Sequence, residues 1–397
     1  MKTFSARMAH LGTENAFSVI TKAKKFEKES GINLVYLQIG EPGFDAPENV
    51  KAATIKAVQD NQTHYTPTPG IPALREAVAQ YHSKYSSTPY EAEDVVIVSG
   101  GKPVMFYMIN ALIDPNDEVI VPNPCYPIYE SVTEYLGGKV VPIQLKEENG
   151  FNFTAEELET KITDKTKLII INSPQNPTGG VIPKELMGQI AEIAKKHDLW
   201  VLSDEIYDQM VHDGEHVSIT NFDGMPERTV ILNGASKTYA MTGYRLGWGV
   251  TKNKQMAAYL EQLACNDTSC VNTMAQYAAL EAVTSPDTKP AVQYMLSEYK
   301  KRRDLMVDLV NEIPGMTCHS PKGAFYLMAN VRQILDKLGI TAAELCDRIM
   351  REAHVLILPG TVFGQYGDDF VRFSYVSTEE NIRKGLDKIK TFIESVY

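Results

Sequence analysis

The sequence predicts an α/β protein: a large domain in which a mostly parallel mixed sheet lies between helices, and a smaller α+β domain formed by the N-terminal segment and the C-terminal part. Three observations predict it. Between Asp94 and Val250, short apolar runs alternate with amphipathic helical patterns. Most of these runs end in a turn signal before a helix begins. After about Ser285 the texture changes to a long charged helix and then to further strands.

Strands are expected in the large domain at residues 95–98, 118–121, 139–142, 168–172, 200–203, 230–232 and 246–250. The apolar stretch from Leu168 to Ile171 is far shorter than the roughly 20 residues of a membrane helix and reads as a buried strand. A helix that begins near Pro103 is closed by Asp114-Pro115-Asn116, and Thr154 with Glu157 forms a capping box ahead of another. Beyond these come a helix over 287–312 and strands near 324–329, 355–358 and 370–375. Capping boxes at Thr341/Glu344 and Ser377/Glu380 start the remaining helices. The expected division is 1–45 for an N-terminal arm and part of the small domain, 46–285 for the large domain and 286–397 for the small one. The arm joins the small domain or a neighbouring subunit.

With 44% hydrophobic residues in 397, the chain can fill a core in each of two lobes. Its net charge of -11 offers no attraction to a nucleic-acid backbone or an anionic membrane, so neither is expected as a partner. Residues Met1 to His10 contain no apolar stretch of the signal-peptide kind, which points to the cytoplasm. Cys125, Cys265, Cys270, Cys318 and Cys346 form no CxxC pair and have no histidine at zinc spacing, so no metal site is expected.

Four loops, each after an expected strand, carry groups suited to chemistry. Val98-Ser99-Gly100-Gly101-Lys102-Pro103 ends a strand in glycines and opens a helix, where backbone N–H groups and the helix start can cradle a phosphate. No GxGxxG follows the first strand and no GxxxxGK[ST] occurs, which removes support for nicotinamide and P-loop readings. Ser173-Pro174-Gln175-Asn176-Pro177-Thr178-Gly179-Gly180 forms a rigid loop at a strand's C-terminal end, from which Asn176 can present an amide. Ser203-Asp204-Glu205-Ile206-Tyr207 places an acid at a buried strand end, where an unpaired carboxylate is costly and a cationic partner is expected. Gly234-Ala235-Ser236-Lys237-Thr238, followed by Gly243-Tyr244-Arg245, sets a lysine able to form an imine beside Ser and Arg. Alone, each loop has a plainer reading: a tight turn with a solvated lysine, a Pro/Gly chain reversal, a helix N-cap at Asp204, a surface lysine at 237.

Together, in this order, the blocks NPTG, SDEIY and SKTYAMTGYRLGW resemble the class I (aspartate-type) aminotransferase family of pyridoxal-phosphate enzymes with the type I fold. The resemblance runs from Gly40-Glu41-Pro42 to Val371-Arg372-Phe373. It implies that Lys237 holds pyridoxal 5'-phosphate as a Schiff base and that Asp204 partners the pyridinium nitrogen. Asn176 and Tyr207 are implied at the cofactor's phenolic oxygen, and Gly100, Gly101, Lys102, Ser236 and Arg245 at its phosphate. Tyr126 is implied to stack on the ring. By the same resemblance Tyr65 reaches the phosphate of a second subunit, making a homodimer with shared active sites, while Gly40, Asn176 and Arg372 hold the substrate's α-carboxylate.

The implied activity is transfer of an amino group from an L-amino acid to a 2-oxo acid such as 2-oxoglutarate. Lys102 resembles a lysine that clamps a side-chain carboxylate in one aspartate-using branch, which favours aspartate- or glutamate-like donors. Two departures bear on that preference: Tyr126 stands where aspartate-type members usually carry Trp, and Pro103 follows Lys102. An aminotransferase of broader or aromatic/neutral specificity, and a lyase that shares the cofactor-binding residues, are the alternatives.

Overall fold

A computed structural model describes residues 3–12 and 15–397; Met1, Lys2, Thr13 and Glu14 of the expected N-terminal arm lie outside the described residues. Its strands are β1 (Val35–Tyr36), β2 (Val95–Val98), β3 (Glu118–Asn123), β4 (Lys139–Gln144), β5 (Thr166–Asn172), β6 (Trp200–Asp204), β7 (Thr229–Gly234), β8 (Gly247–Val250), β9 (Tyr326–Asn330), β10 (Val355–Leu356), β11 (Leu358–Pro359) and β12 (Phe370–Ser374). Strands β2 to β8 form one sheet in the order β2-β8-β7-β6-β5-β3-β4. Within it β8 runs against β2 and β7, and the other pairings are parallel. The sheet is mixed and mostly parallel, as expected.

Both faces of this sheet are covered, which is why its strands read as unbroken apolar runs. Val95 and Ile97 enter one core while Val96 and Val98 enter the core on the opposite face. Leu168 and Ile170 divide from Ile169 and Ile171 in the same way. A strand packed on both sides has no wet face to alternate toward. Each such side chain contributes roughly 1.5–3 kcal/mol relative to exposure, so one charge at the fully buried Ile170 would disrupt its layer. Helices Lys102–Leu112 and Lys254–Thr268 pack together over one face. Helices Pro72–Ser83 and Thr273–Thr284 cover part of the other, and Ala155–Lys161 with Lys184–Lys196 cover the rest.

Beyond the large sheet, β11-β12-β9 form an antiparallel sheet, and β1 pairs in parallel with β10. Helices Thr288–Asn311 and Glu379–Val396 pack on each other, and their apolar faces share a core with Val35, Leu37, Phe325 and Phe373. The N-terminal segment and the C-terminal part thus contribute to one core.

Two expectations need correction, and one strand was not foreseen. The strand expected over 355–358 is divided between two sheets, because Val355–Leu356 pairs with β1 while Leu358–Pro359 pairs with β12. Strand β1, only two residues long, gave no alternation to detect. The last helix is capped one residue later than expected: the Thr378 hydroxyl accepts from the Asn381 amide, so Ser377 and Glu380 form no box. The boxes at Thr154/Glu157 and Thr341/Glu344 are present.

One consequence of the topology places the site. Strands β2, β3, β5, β6 and β7 point the same way, so the loops that follow them meet along one edge. Because β8 is antiparallel, it begins at that same edge, with Gly247 opposite both Val98 and Gly234. Arg245, which precedes β8, therefore comes back beside the end of β2.

Candidate active site

At that edge lies a cavity of about 460 Å³ whose wall includes Gly101, Lys102, Tyr126, Asn176, Asp204, Tyr207, Ser236, Lys237 and Arg245. From the other side Gly40 and Arg372 complete it. The four loops named from sequence therefore converge. Gly100 is buried just behind this wall, and Tyr65 is 92% exposed and does not line the cavity of its own chain.

Lys237 follows β7 by a tight turn, and its Nζ donates to the Gly40 carbonyl at 2.6 Å. A primary amine is thus held on the backbone of the segment that carries Gly40. Asp204 ends β6, 7% exposed, and accepts from the Tyr129 hydroxyl at 2.6 Å and from the Ile206 amide at 3.2 Å. Burial pushes its carboxyl up to about 6, while these donors and the charge of Lys237 oppose the rise. No helix starts after Asp204, so it is not an N-cap. Within the chain these two donors hold the carboxylate, with Lys237 acting as a charge at longer range. The neighbouring Glu205 turns the opposite way, as strand alternation requires, and accepts from Ser203, Ser218 and His216.

Tyr207, 3% exposed, shares a hydrogen bond of 3.0 Å with the hydroxyl of Tyr326. Burial raises its phenol well above the ordinary range, which keeps it neutral and able to donate. Arg372 lies on β12, 5% exposed, with its guanidinium 4.4 Å from the Tyr326 ring centre and 4.6 Å from that of Phe363. One arm donates to Asn176 Oδ1 at 3.0 Å and the other to the Gln38 carbonyl at 2.7 Å. Asn172, also in the wall, accepts from the Asn176 amide and donates to the Asp204 carbonyl, tying the second loop to the third.

The glycine-rich start of helix Lys102–Leu112 is shaped by Arg245. Gly100 has φ +85, and a Cβ there would stand 2.4 Å from Arg245 Nη2. Arg245 itself takes the left-handed conformation, φ 50, and donates to the Thr242 carbonyl at 2.8 Å. Lys102 is exposed at the first turn of its helix, with Nζ 5.6 Å from the centre of the Tyr126 ring.

Sequence reasoning missed Tyr129, Tyr326, Phe363, Gln38 and Asn172. Tyr129 stands three residues after Tyr126 at the start of helix Ile128–Tyr135, a spacing that can bring two aromatics together, and the two rings pack edge to face. The other four gain their neighbours only from tertiary packing.

The donor set is the complement that a phosphorylated pyridine aldehyde requires: a buried carboxylate, a primary amine, a neutral phenol with an amide, and glycines that let Arg245 approach a helix start. Comparison with known proteins agrees. The family profile for aminotransferase class I and II matches residues 32–389. A probable aspartate/prephenate aminotransferase of Aquifex aeolicus is 36% identical over 397 residues, 100% of each chain. An aromatic-amino-acid aminotransferase 2 of Thermococcus litoralis is 37% identical over 94% of this chain and 95% of its own. The structure of Thermus thermophilus aspartate aminotransferase with maleate superimposes with a TM-score of 0.92 at 34% identity, covering 98% of this chain and 100% of that one. The chain belongs to the class I and II aminotransferases, enzymes that use pyridoxal 5'-phosphate to move amino groups.

Proposed function

We propose that this aminotransferase takes the amino group of an L-amino acid, preferring aspartate or glutamate, and passes it to a 2-oxo acid such as 2-oxoglutarate. The observation that carries the reading is Arg372: a buried guanidinium, stacked between two rings, in the same cavity as the amine of Lys237. A fork of this kind grips a carboxylate in two-pronged fashion. For a second carboxylate, Lys102 supplies a cation in the same wall. Relatives that are named for aspartate support the preference.

Bound pyridoxal phosphate supplies an electron sink for negative charge developing at the amino acid's Cα. Asp204 holds a positive charge on the ring nitrogen, and Tyr207 with the Asn176 amide donates to the phenolic oxygen. Gly100, Gly101, Lys102, Ser236 and Arg245 hold the phosphate, and Tyr126 covers the ring. Lys237 would act as the general base that takes the proton from Cα and delivers it to the cofactor carbon on the far side of the shared nitrogen. Arg372 and Gly40 fix the α-carboxylate, and with it the rotation that decides which Cα bond breaks.

We place the enzyme in the cytoplasm as a homodimer. Tyr65, exposed on its own chain, serves the phosphate of the partner subunit. Residues 1–45, 46–285 and 286–397 are taken as arm, large domain and small domain, in keeping with the shared core of Val35, Leu37 and Phe373. Among the described residues no helix is long and apolar enough to cross a membrane.

A broader or aromatic specificity is the second reading, favoured by Ile20, Ile39, Met105, Val362 and Phe363 in the cavity wall and by the relative named for aromatic amino acids. Two measurements test amino transfer and separate the specificities. L-Aspartate without acceptor is expected to convert the visible absorption of the bound cofactor to that of its amine form, and 2-oxoglutarate to restore it. A lyase would release product with the original absorption kept. In a donor panel against 2-oxoglutarate, no turnover of any acidic donor would remove the preference and leave the aromatic one.

A further inference from the structure

Tyr326 touches Tyr207, Arg372 and Gly40 at once. Its hydroxyl lies 3.0 Å from that of Tyr207. Its ring lies under the Arg372 guanidinium at 4.4 Å. A Cβ on Gly40 would stand only 2.9 Å from its hydroxyl, so the backbone that accepts from Lys237 reaches its place because residue 40 has no side chain. Tyr326 opens β9, is 2% exposed, and is wedged against Phe325 with ring centres 4.7 Å apart. It has little freedom to turn away.

We propose that Tyr326 is a positioning residue with two separable parts: its hydroxyl donates to Tyr207 and so turns the Tyr207 proton toward the cofactor's phenolic oxygen, while its ring fixes the plane of Arg372 for the substrate carboxylate. The direction of the hydrogen bond follows from the stacking. A cation over an aromatic face draws electron density from the ring, which makes the attached hydroxyl the better donor of the pair. Tyr207 then accepts from Tyr326 and keeps its own proton for the ligand, and each bond strengthens the other. The two rings meet edge to face at 83°, with centres 5.9 Å apart.

The inference rests on the cofactor and substrate roles proposed above, and its test separates the two. In the pyridoxal-phosphate-loaded enzyme, the pH midpoint of the bound cofactor's visible absorption is measured for the wild type, Tyr326→Phe, Tyr207→Phe and the double variant. Tyr326→Phe is expected to raise the midpoint by about half a pH unit, the size of one modest hydrogen bond. The double variant is expected to match Tyr207→Phe alone, because the Tyr326 hydroxyl acts through Tyr207. A midpoint that is unchanged or lowered in Tyr326→Phe, or additive shifts in the double variant, would overturn the hydroxyl's role. Maleate, an unreactive dicarboxylate, reads the ring. Its affinity is expected to fall about 10-fold in Tyr326→Leu and by less in Tyr326→Phe. Equal losses, or none, would overturn the ring's role. Tyr326→Phe is isosteric, and its thermal melt reports whether the fold is kept. A wild type with no pH-dependent visible absorption would instead remove the cofactor assignment beneath the inference.

Discussion

The hydroxyl of Tyr129 donates to Asp204 Oδ2 at 2.6 Å, and both groups are buried. This bond and the Ile206 amide hold a carboxylate where burial alone would favour its neutral form. Without the cofactor, the charged form of Asp204 is therefore a cost to the fold. Its folded value of about 6 lies above the unfolded value of about 3.9, so the cost is absent below about pH 4, builds toward pH 6 and is complete above that. Asp204→Asn is expected to stabilise the cofactor-free protein at pH 8 by on the order of 2–3 kcal/mol, with the gain vanishing near pH 4. Thermal melts at the two pH values check this. Equal shifts at both would contradict it.

Replacing Lys237 by Ala removes the amine proposed to hold the cofactor and to move the Cα proton. Steady turnover is expected to fall by at least about 10³-fold in a coupled assay with 2-oxoglutarate. Turnover at the wild-type rate would exclude Lys237 from the chemistry.

Arg372→Lys keeps a positive charge but loses both the fork to Asn176 and Gln38 and the stack between Tyr326 and Phe363. Donor KM is expected to rise about 10- to 100-fold, with a smaller change in cofactor affinity measured by fluorescence titration. Equal losses in both would place Arg372 at the cofactor instead.

Gly100→Ala sets a methyl group on Arg245 Nη2 and forces a left-handed backbone on alanine at φ +85. The Arg245 guanidinium must shift, away from the phosphate site proposed for it. Cofactor affinity is expected to weaken by about 10-fold, read by equilibrium dialysis.

Much of the site was legible because strand-following loops carry their chemistry in local blocks. Asp204, Asn176 and Lys237 each come at or shortly after the end of an apolar run, and a parallel sheet brings such strand ends together. The resemblance to known enzymes then joined Gly40 and Arg372 to them across the length of the chain. Tyr129, Tyr326 and Phe363 were not legible, since each is an ordinary aromatic in an apolar setting and gains its contact from packing between elements. The same limit hid the break at Ile357: four apolar residues in a row do not reveal that two sheets share them.

The parallel pairing of β1 with β10 bears on how the protein is made. Val35 has no strand beside it until Val355 has left the ribosome, and the Gln38 carbonyl waits for Arg372, 334 residues further on. Vectorial synthesis can complete the loops that carry Asp204 and Lys237 long before Arg372 reaches Gln38. A nascent chain halted before its last strands would carry the loops of Asn176, Asp204 and Lys237 and lack Arg372.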